Sequence, residues 1–127
     1  NPVHSDVMEE KLAERINHID LAKKTDLFIV APASANTIAK LAHGMADNML
    51  TATALALPST TPKLIAPAMN TKMYENPLTK KNLKILQEVG YQEILPKSGL
   101  LACGDTGRGA LADISVIIES IDNALTK

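Results

Sequence analysis

The sequence predicts an α/β fold, one domain in which a parallel sheet is flanked by helices, and three observations carry that reading. Helix-like and strand-like pieces alternate along the chain with no internal repeat or low-complexity stretch. Two short apolar runs, Asp26 to Ala31 and Lys63 to Met69, are nearly uninterrupted, the pattern of parallel strands buried on both faces, and each ends in a proline-containing turn. The chain has 127 residues, 46% of them apolar and only 2% aromatic, so one core built from Ala, Leu, Ile, Val and Met is expected and no linker divides it.

Taken in order, Ile16, Ile19, Leu21 and Ala22 have helical spacing and run into Lys23-Lys24, where cations suit a helix C-terminus. The first strand follows from Asp26 to Ala31, bounded by Pro32. Pro32 to Asn36 then makes a turn, and Ser34 or Asn36 caps a helix from Thr37 to His43 that stops at Gly44. Asp47-Asn48 opens a second Ala/Leu/Thr helix reaching Leu57, closed by Pro58. After the strand at Lys63 to Met69, Thr79 to Val89 reads as a helix ending at Gly90, and Tyr91 to Leu95 as a last short strand. Four of the six glycines fall between Gly99 and Gly109, which predicts a mobile loop, and Ile114 to Leu125 is an amphipathic closing helix.

Composition excludes several function classes. Thirteen basic against 14 acidic side chains and three aromatic residues give neither a basic face nor a stacking platform, so no nucleic-acid partner is expected. Cys103 is the single cysteine, which rules out an internal disulfide or a multi-cysteine metal site and suits the reducing cytoplasm; no metal is expected. No apolar run reaches the roughly 18 to 20 residues of a membrane span, and Asn1-Pro2-Val3-His4 lacks a signal-sequence pattern, so no membrane association is expected. With no initiator Met and a first residue in mid-pattern, the sequence reads as a fragment, a processed chain or one incompletely recorded.

Both buried strands lead into polar groups, Ser34, Asn36 and Thr37 after the first and Asn70 and Thr71 after the second. Ligands of open parallel sheets bind beyond the carboxyl ends of the strands, so these two turns are expected to line one crevice. Asn and Ser in such places also serve simply as helix caps, and for either turn alone that is the plainer reading.

Longer runs of residues then carry a family resemblance. His18-Ile19-Asp20-Leu21-Ala22, Pro32-Ala33-Ser34-Ala35-Asn36-Thr37 with Ala46-Asp47-Asn48, Pro67-Ala68-Met69-Asn70-Thr71-Lys72-Met73-Tyr74 and Ala102-Cys103-Gly104 occur in the order and form that resemble the flavin-dependent cysteine decarboxylases, and within them the branch acting on 4′-phosphopantothenoylcysteine. The resemblance extends from the first residues to the closing helix. It implies a three-layer αβα sandwich, flavodoxin-like or Rossmann-like, that binds FMN and assembles as trimers or multiples of trimers with flavin and substrate at subunit contacts. The implied reaction belongs to coenzyme A biosynthesis: the thiol-bearing carbon is oxidised to a thioaldehyde, carbon dioxide leaves, and the resulting enethiolate is reduced to 4′-phosphopantetheine, with FMN carrying the electrons.

The resemblance also assigns residues. His18 matches the active-site histidine, as base or electrostatic partner in the oxidative step; His4 and His43 match nothing and read as structural. Asn70 would hold the substrate carboxylate, a task for which a neutral amide suits because the charge must later be lost. Met69 would border the substrate through packing and backbone, and Arg108, which no matching run includes but which is one of only two arginines, would border it by meeting an anion. Cys103 would donate a proton as the enethiolate is reduced, on a glycine-rich flap that closes over the substrate. Ser34, Asn36 and Thr37 would contact flavin, with Ala33 and Ala35 small enough to admit it. The sequence departs from the family in having Tyr74 where Trp is usual, and in lacking the upstream strand, glycine/serine phosphate turn and helix, so residues 1–127 are expected to form a single flavoprotein decarboxylase domain without its first βα unit. Gly104 to Gly109 lacks the spacing of a dinucleotide fingerprint. Two alternatives stand beside this reading: a peptidyl-cysteine decarboxylase of the same family, and a non-catalytic regulatory or truncated flavoprotein subunit.

Overall fold

A computed structural model of the chain describes residues 25–100 and 106–126. Three strands, β1 (Phe28–Ala33), β2 (Lys63–Pro67) and β3 (Tyr91–Glu93), form a parallel sheet in the order β1-β2-β3. Helices α1 (Ala35–Ala42) and α2 (Met49–Ala56) connect the first pair, and α3 (Thr71–Glu75) and α4 (Pro77–Glu88) the second. An antiparallel hairpin of β4 (Lys97–Leu100) and β5 (Thr106–Ala110) follows, and α5 (Ile114–Leu125) closes the described chain. No described helix is long and apolar enough to cross a membrane.

All five residues of β2 are buried, and because strand side chains alternate they feed two cores. Ile65 joins Val30, Ile38, Tyr74, Leu83, Leu86 and Tyr91 on the face covered by α1 and α4. Leu64 and Ala66 join Ile94 and Ala112 on the other, under Ile117, Ile121 and Ala124 of α5. Helices on both faces of a parallel sheet make the αβα sandwich expected of the sequence. Truncating Leu64 or Ile65, each 1% exposed, to Ala would cost about 2–5 kcal/mol. The exposed ion pair between Lys97 and Asp113 belongs to a class worth about 0–1 kcal/mol, so burial dominates.

The helices start where side chains can cap them. Ser34 Oγ accepts from the Thr37 amide, Asn48 and Thr51 form a reciprocal capping box, and Asn76 caps α4 with Pro77 in its first turn. Gly44 ends α1 with φ of +67°, a conformation glycine adopts without steric cost. Across this helix end Lys40 and Asp47 pair at 2.8 Å, which holds the Asp47 carboxyl below its usual range.

Several boundaries differ from the sequence reading. β1 runs through Pro32 to Ala33 instead of stopping before a turn, and the ladder register shifts between Val30 and Ala33, where Pro32 has no N–H to donate. It is only partly buried, since among the described residues β2 is its one strand neighbour. Ser34 is the cap of α1 and Asn36 lies inside the helix. α3 was not foreseen, and α4 begins at Pro77, two residues before Thr79. β3 ends at Glu93 and is not the last strand. The glycine-rich stretch read as a mobile loop contributes the hairpin instead, because its legs pair with each other and dock on the chain after β2. α5 occupies the expected residues, but only one side of it is covered: Ile114, Ile118 and Leu125 are exposed. The helix expected before Lys24 and the segment 101–105 lie outside the described residues.

Both tyrosines are buried, and burial of a phenol disfavours its anion: Tyr91 is pushed up to about 12, and Tyr74 is raised by burial and by the carboxylate of Glu93. The unfolded chain releases these protons near pH 10, so between there and the folded values it binds fewer protons than the native state, and stability falls as pH rises. An alkaline titration should therefore show phenolate absorbance appearing together with loss of helical circular dichroism. Phenolate formation near pH 10 with the helical signal intact would contradict this burial.

Candidate active site

The carboxyl ends of β1 and β2 lie side by side. Ala33 stands opposite Pro67, and the Ala68 amide donates to the Ala33 carbonyl at 3.0 Å, so the chain leaving each strand starts from nearly one point. After β1, the Ser34 hydroxyl accepts from the Thr37 amide and donates to Thr37 Oγ1, both at 3.2 Å. Ser34 and Asn36 are exposed, Thr37 is half-buried and Ala33 is fully covered. This places Ala33 and the three residues expected to contact flavin on one strand end and the first turn of α1.

After β2, Asn70 caps α3 as Ser34 caps α1. Asn70 Oδ1 accepts from the Lys72 amide at 2.8 Å, and the Asn70 carbonyl accepts from the Tyr74 amide at 2.9 Å. The neighbouring Thr71 Oγ1 is buried and has no partner among the described residues.

A third element completes the arrangement. The Met69 amide donates to the Gly109 carbonyl at 2.8 Å, which stitches β5 to the residue just before Asn70. The approach is so close that a Cβ on Gly109 would collide with the Met69 carbonyl oxygen and crowd Thr71. Arg108 beside it is exposed and donates Nη1 to the Pro96 carbonyl at 2.7 Å, which spends part of the guanidinium on the base of the hairpin.

Beneath α3 the Tyr74 ring is 2% exposed, its hydroxyl donates to Glu93 Oε2 at 2.7 Å, and the Lys80 ammonium sits 3.6 Å from the ring centroid. Gln87 Nε2 donates to the other Glu93 oxygen at 3.4 Å. Sequence reasoning missed Glu93. Its only signal was an ionisable residue in a short strand, which by itself is ordinary.

The structure thus brings Ala33, Ser34, Asn36, Thr37, Met69, Asn70 and Arg108 to one end of the sheet. His18 and Cys103 lie outside the described residues. A cavity of about 350 Å³ opens at the other end of the strands, lined mainly by Leu41, Met45, Leu55 and Val89 with Lys63 and Tyr91. The Lys63 amine is bonded to the Pro58 and Thr61 carbonyls there, and burial lowers its pKa. Among the described residues no three His, Cys, Asp or Glu side chains gather as a metal site would require.

Against known proteins, the profile of the Flavoprotein family matches residues 1–126. The chain is 62% identical over 125 residues to a probable phosphopantothenoylcysteine decarboxylase of Streptococcus mutans, covering 98% of this chain and 70% of the relative. A solved cysteine-to-serine variant of a PPC decarboxylase, complexed with pantothenoylaminoethenethiol, superposes with a TM-score of 0.84 at 38% identity, over 100% of this chain and 65% of that one. The FMN-binding protein AtHal3 superposes with a TM-score of 0.76 at 40% identity, over 97% of this chain and 62% of that one.

Because Gly109 admits no side chain, Gly109→Ala is expected to push the hairpin off the Asn70 turn and to lower stability by about 1–3 kcal/mol in denaturant titration. An unchanged unfolding midpoint would show that the contact with Met69 is dispensable.

Proposed function

The chain belongs to the Flavoprotein family, and from that premise we propose that it catalyses the FMN-dependent decarboxylation of 4′-phosphopantothenoylcysteine to 4′-phosphopantetheine, a step of coenzyme A synthesis in the cytoplasm. The observation that carries this reading is the capped Asn70 at the end of β2, in a chain 62% identical to a probable phosphopantothenoylcysteine decarboxylase.

The residues at this end of the sheet fit a flavin. Neutral hydroxyl and amide groups on Ser34, Asn36 and Thr37 match the oxygen and nitrogen acceptors of the ring and its side chain, Ala33 and Ala35 take up little room, and Thr71 Oγ1 is a buried polar atom still in need of a partner among the described residues. FMN, when bound, supplies the two-electron oxidation of the thiol-bearing carbon and the later reduction.

The chain's own groups orient and protonate. Asn70 Nδ2 donates to the substrate carboxylate, and its weak hold lets the charge leave as carbon dioxide, where a bidentate arginine would stabilise it. His18 serves as base or electrostatic partner before decarboxylation, and Cys103 donates the proton that completes the product. Arg108 meets a substrate anion with the donors that Pro96 does not use. We assign the working assembly to a trimer or a multiple of trimers. Met45, Leu50 and Leu55, exposed apolar residues on and before α2, offer the kind of surface that subunit contacts need.

The direct test is carbon dioxide release from 4′-phosphopantothenoylcysteine by the flavin-loaded protein, and absence of turnover would refute the reading. Asn70→Asp is expected to fold, since Asp caps a helix as well as Asn does, while opposed carboxylates lower kcat/KM about 100-fold. Cys103→Ser is expected to release carbon dioxide and stop at the enethiol, detected by mass spectrometry. Full activity in that variant would remove Cys103 from proton transfer. Light scattering is expected to give a mass that is a multiple of three subunits.

A further inference from the structure

α3 is five residues long, little more than one helical turn, and a helix so short has no stability of its own. Its position must be imposed from outside. Lys72, Met73 and Glu75 are exposed, so among its side chains Tyr74 alone anchors it deeply. The Tyr74 amide donates to the Asn70 carbonyl at 2.9 Å, and the Tyr74 hydroxyl donates to Glu93 Oε2 at 2.7 Å. Glu93 ends β3, which pairs in register with β2, and its second oxygen accepts from Gln87 of α4. An unbroken route of hydrogen bonds and one rigid ring therefore joins the sheet to the Asn70 turn.

We propose that Glu93, acting through Tyr74, is a positioning residue that sets where the Asn70 amide sits. Its bearing on turnover rests on the reading of Asn70 as the holder of the substrate carboxylate. The flank before Asn70 is fixed by the Met69–Gly109 bond, and the flank after it by Tyr74 and Glu93, so losing either tie frees one side of the turn. Small displacements of a positioning group are costly to rate, which makes a residue beneath the site kinetically visible.

Three variants of the protein test this. Tyr74→Phe keeps the ring and removes the hydroxyl, Glu93→Leu removes the acceptor, and Glu93→Gln keeps an acceptor oxygen while removing the charge. We expect amide hydrogen exchange at Lys72 and Tyr74 to quicken about tenfold relative to the amides of α4 in Tyr74→Phe and Glu93→Leu, the scale of one lost hydrogen bond, and to stay near wild type in Glu93→Gln. With substrate, kcat/KM should fall about tenfold in the first two, and by less than twofold when Tyr74→Phe is placed in an Asn70→Ala background. Equal losses with and without Asn70, or exchange at Lys72 unchanged in Tyr74→Phe and Glu93→Leu, would overturn the proposal. If Tyr74→Phe does not fold, the Glu93→Leu and Glu93→Gln pair decides. A wild-type protein inert toward the substrate would refute the decarboxylase reading alone, and the exchange measurement would still decide the role of Glu93.

Discussion

The parallel pairing of β2 with β1 and β3 is the constraint on which the rest of the molecule depends. Every residue of β2 is buried, so its backbone groups must be satisfied by neighbouring strands and both its faces covered by helices. That requirement places α1 and α4 on one face and α5 on the other. It also brings the ends of β1 and β2 together, because parallel neighbours in register finish at the same level. The candidate site is a consequence of this packing: two polar turns far apart in sequence begin from adjacent strand ends.

At that end the same side chains serve folding and chemistry. Ser34 and Asn70 each satisfy an otherwise orphaned amide at a helix start, which restricts how their remaining donors and acceptors can be presented. For Asn70 the restriction suits the proposed role, since an amide already fixed by its oxygen loses little further freedom when Nδ2 meets a carboxylate. An Asn70 substitution must therefore be read for both stability and turnover, and Asp is informative because it keeps the cap while it inverts the interaction with an anion.

The hairpin has a similar double use. β4 and β5 add no strand to the main sheet, yet β5 closes on the chain after β2 through the Met69–Gly109 bond and leaves no space for a side chain at Gly109. Glycine here permits a close approach of two backbones. With Tyr74 and Glu93 on the other flank, the Asn70 turn is clamped by parts of the chain about 20 to 40 residues away in sequence, and contacts of that separation form only when the whole domain does.

The sequence by itself determined the α/β class, the buried strand from Lys63, a cap at Ser34 or Asn36, a helix opened by Asp47-Asn48, the closing helix, and the meeting of the turns that carry Ser34, Asn36, Thr37 and Asn70 at one end of the sheet. Each of those follows from local periodicity, cap chemistry or a run of matching residues, and each stays legible without knowing what the segment touches. Only the tertiary structure decided that β1 continues through Pro32, that the glycine-rich stretch pairs as a hairpin, that α3 exists and that Glu93 holds Tyr74. These features draw their stability from partners distant in the chain: α3 is too short to show a period, glycines mark freedom until a docking surface removes it, and a glutamate at a strand end gains meaning only when a buried hydroxyl arrives beside it.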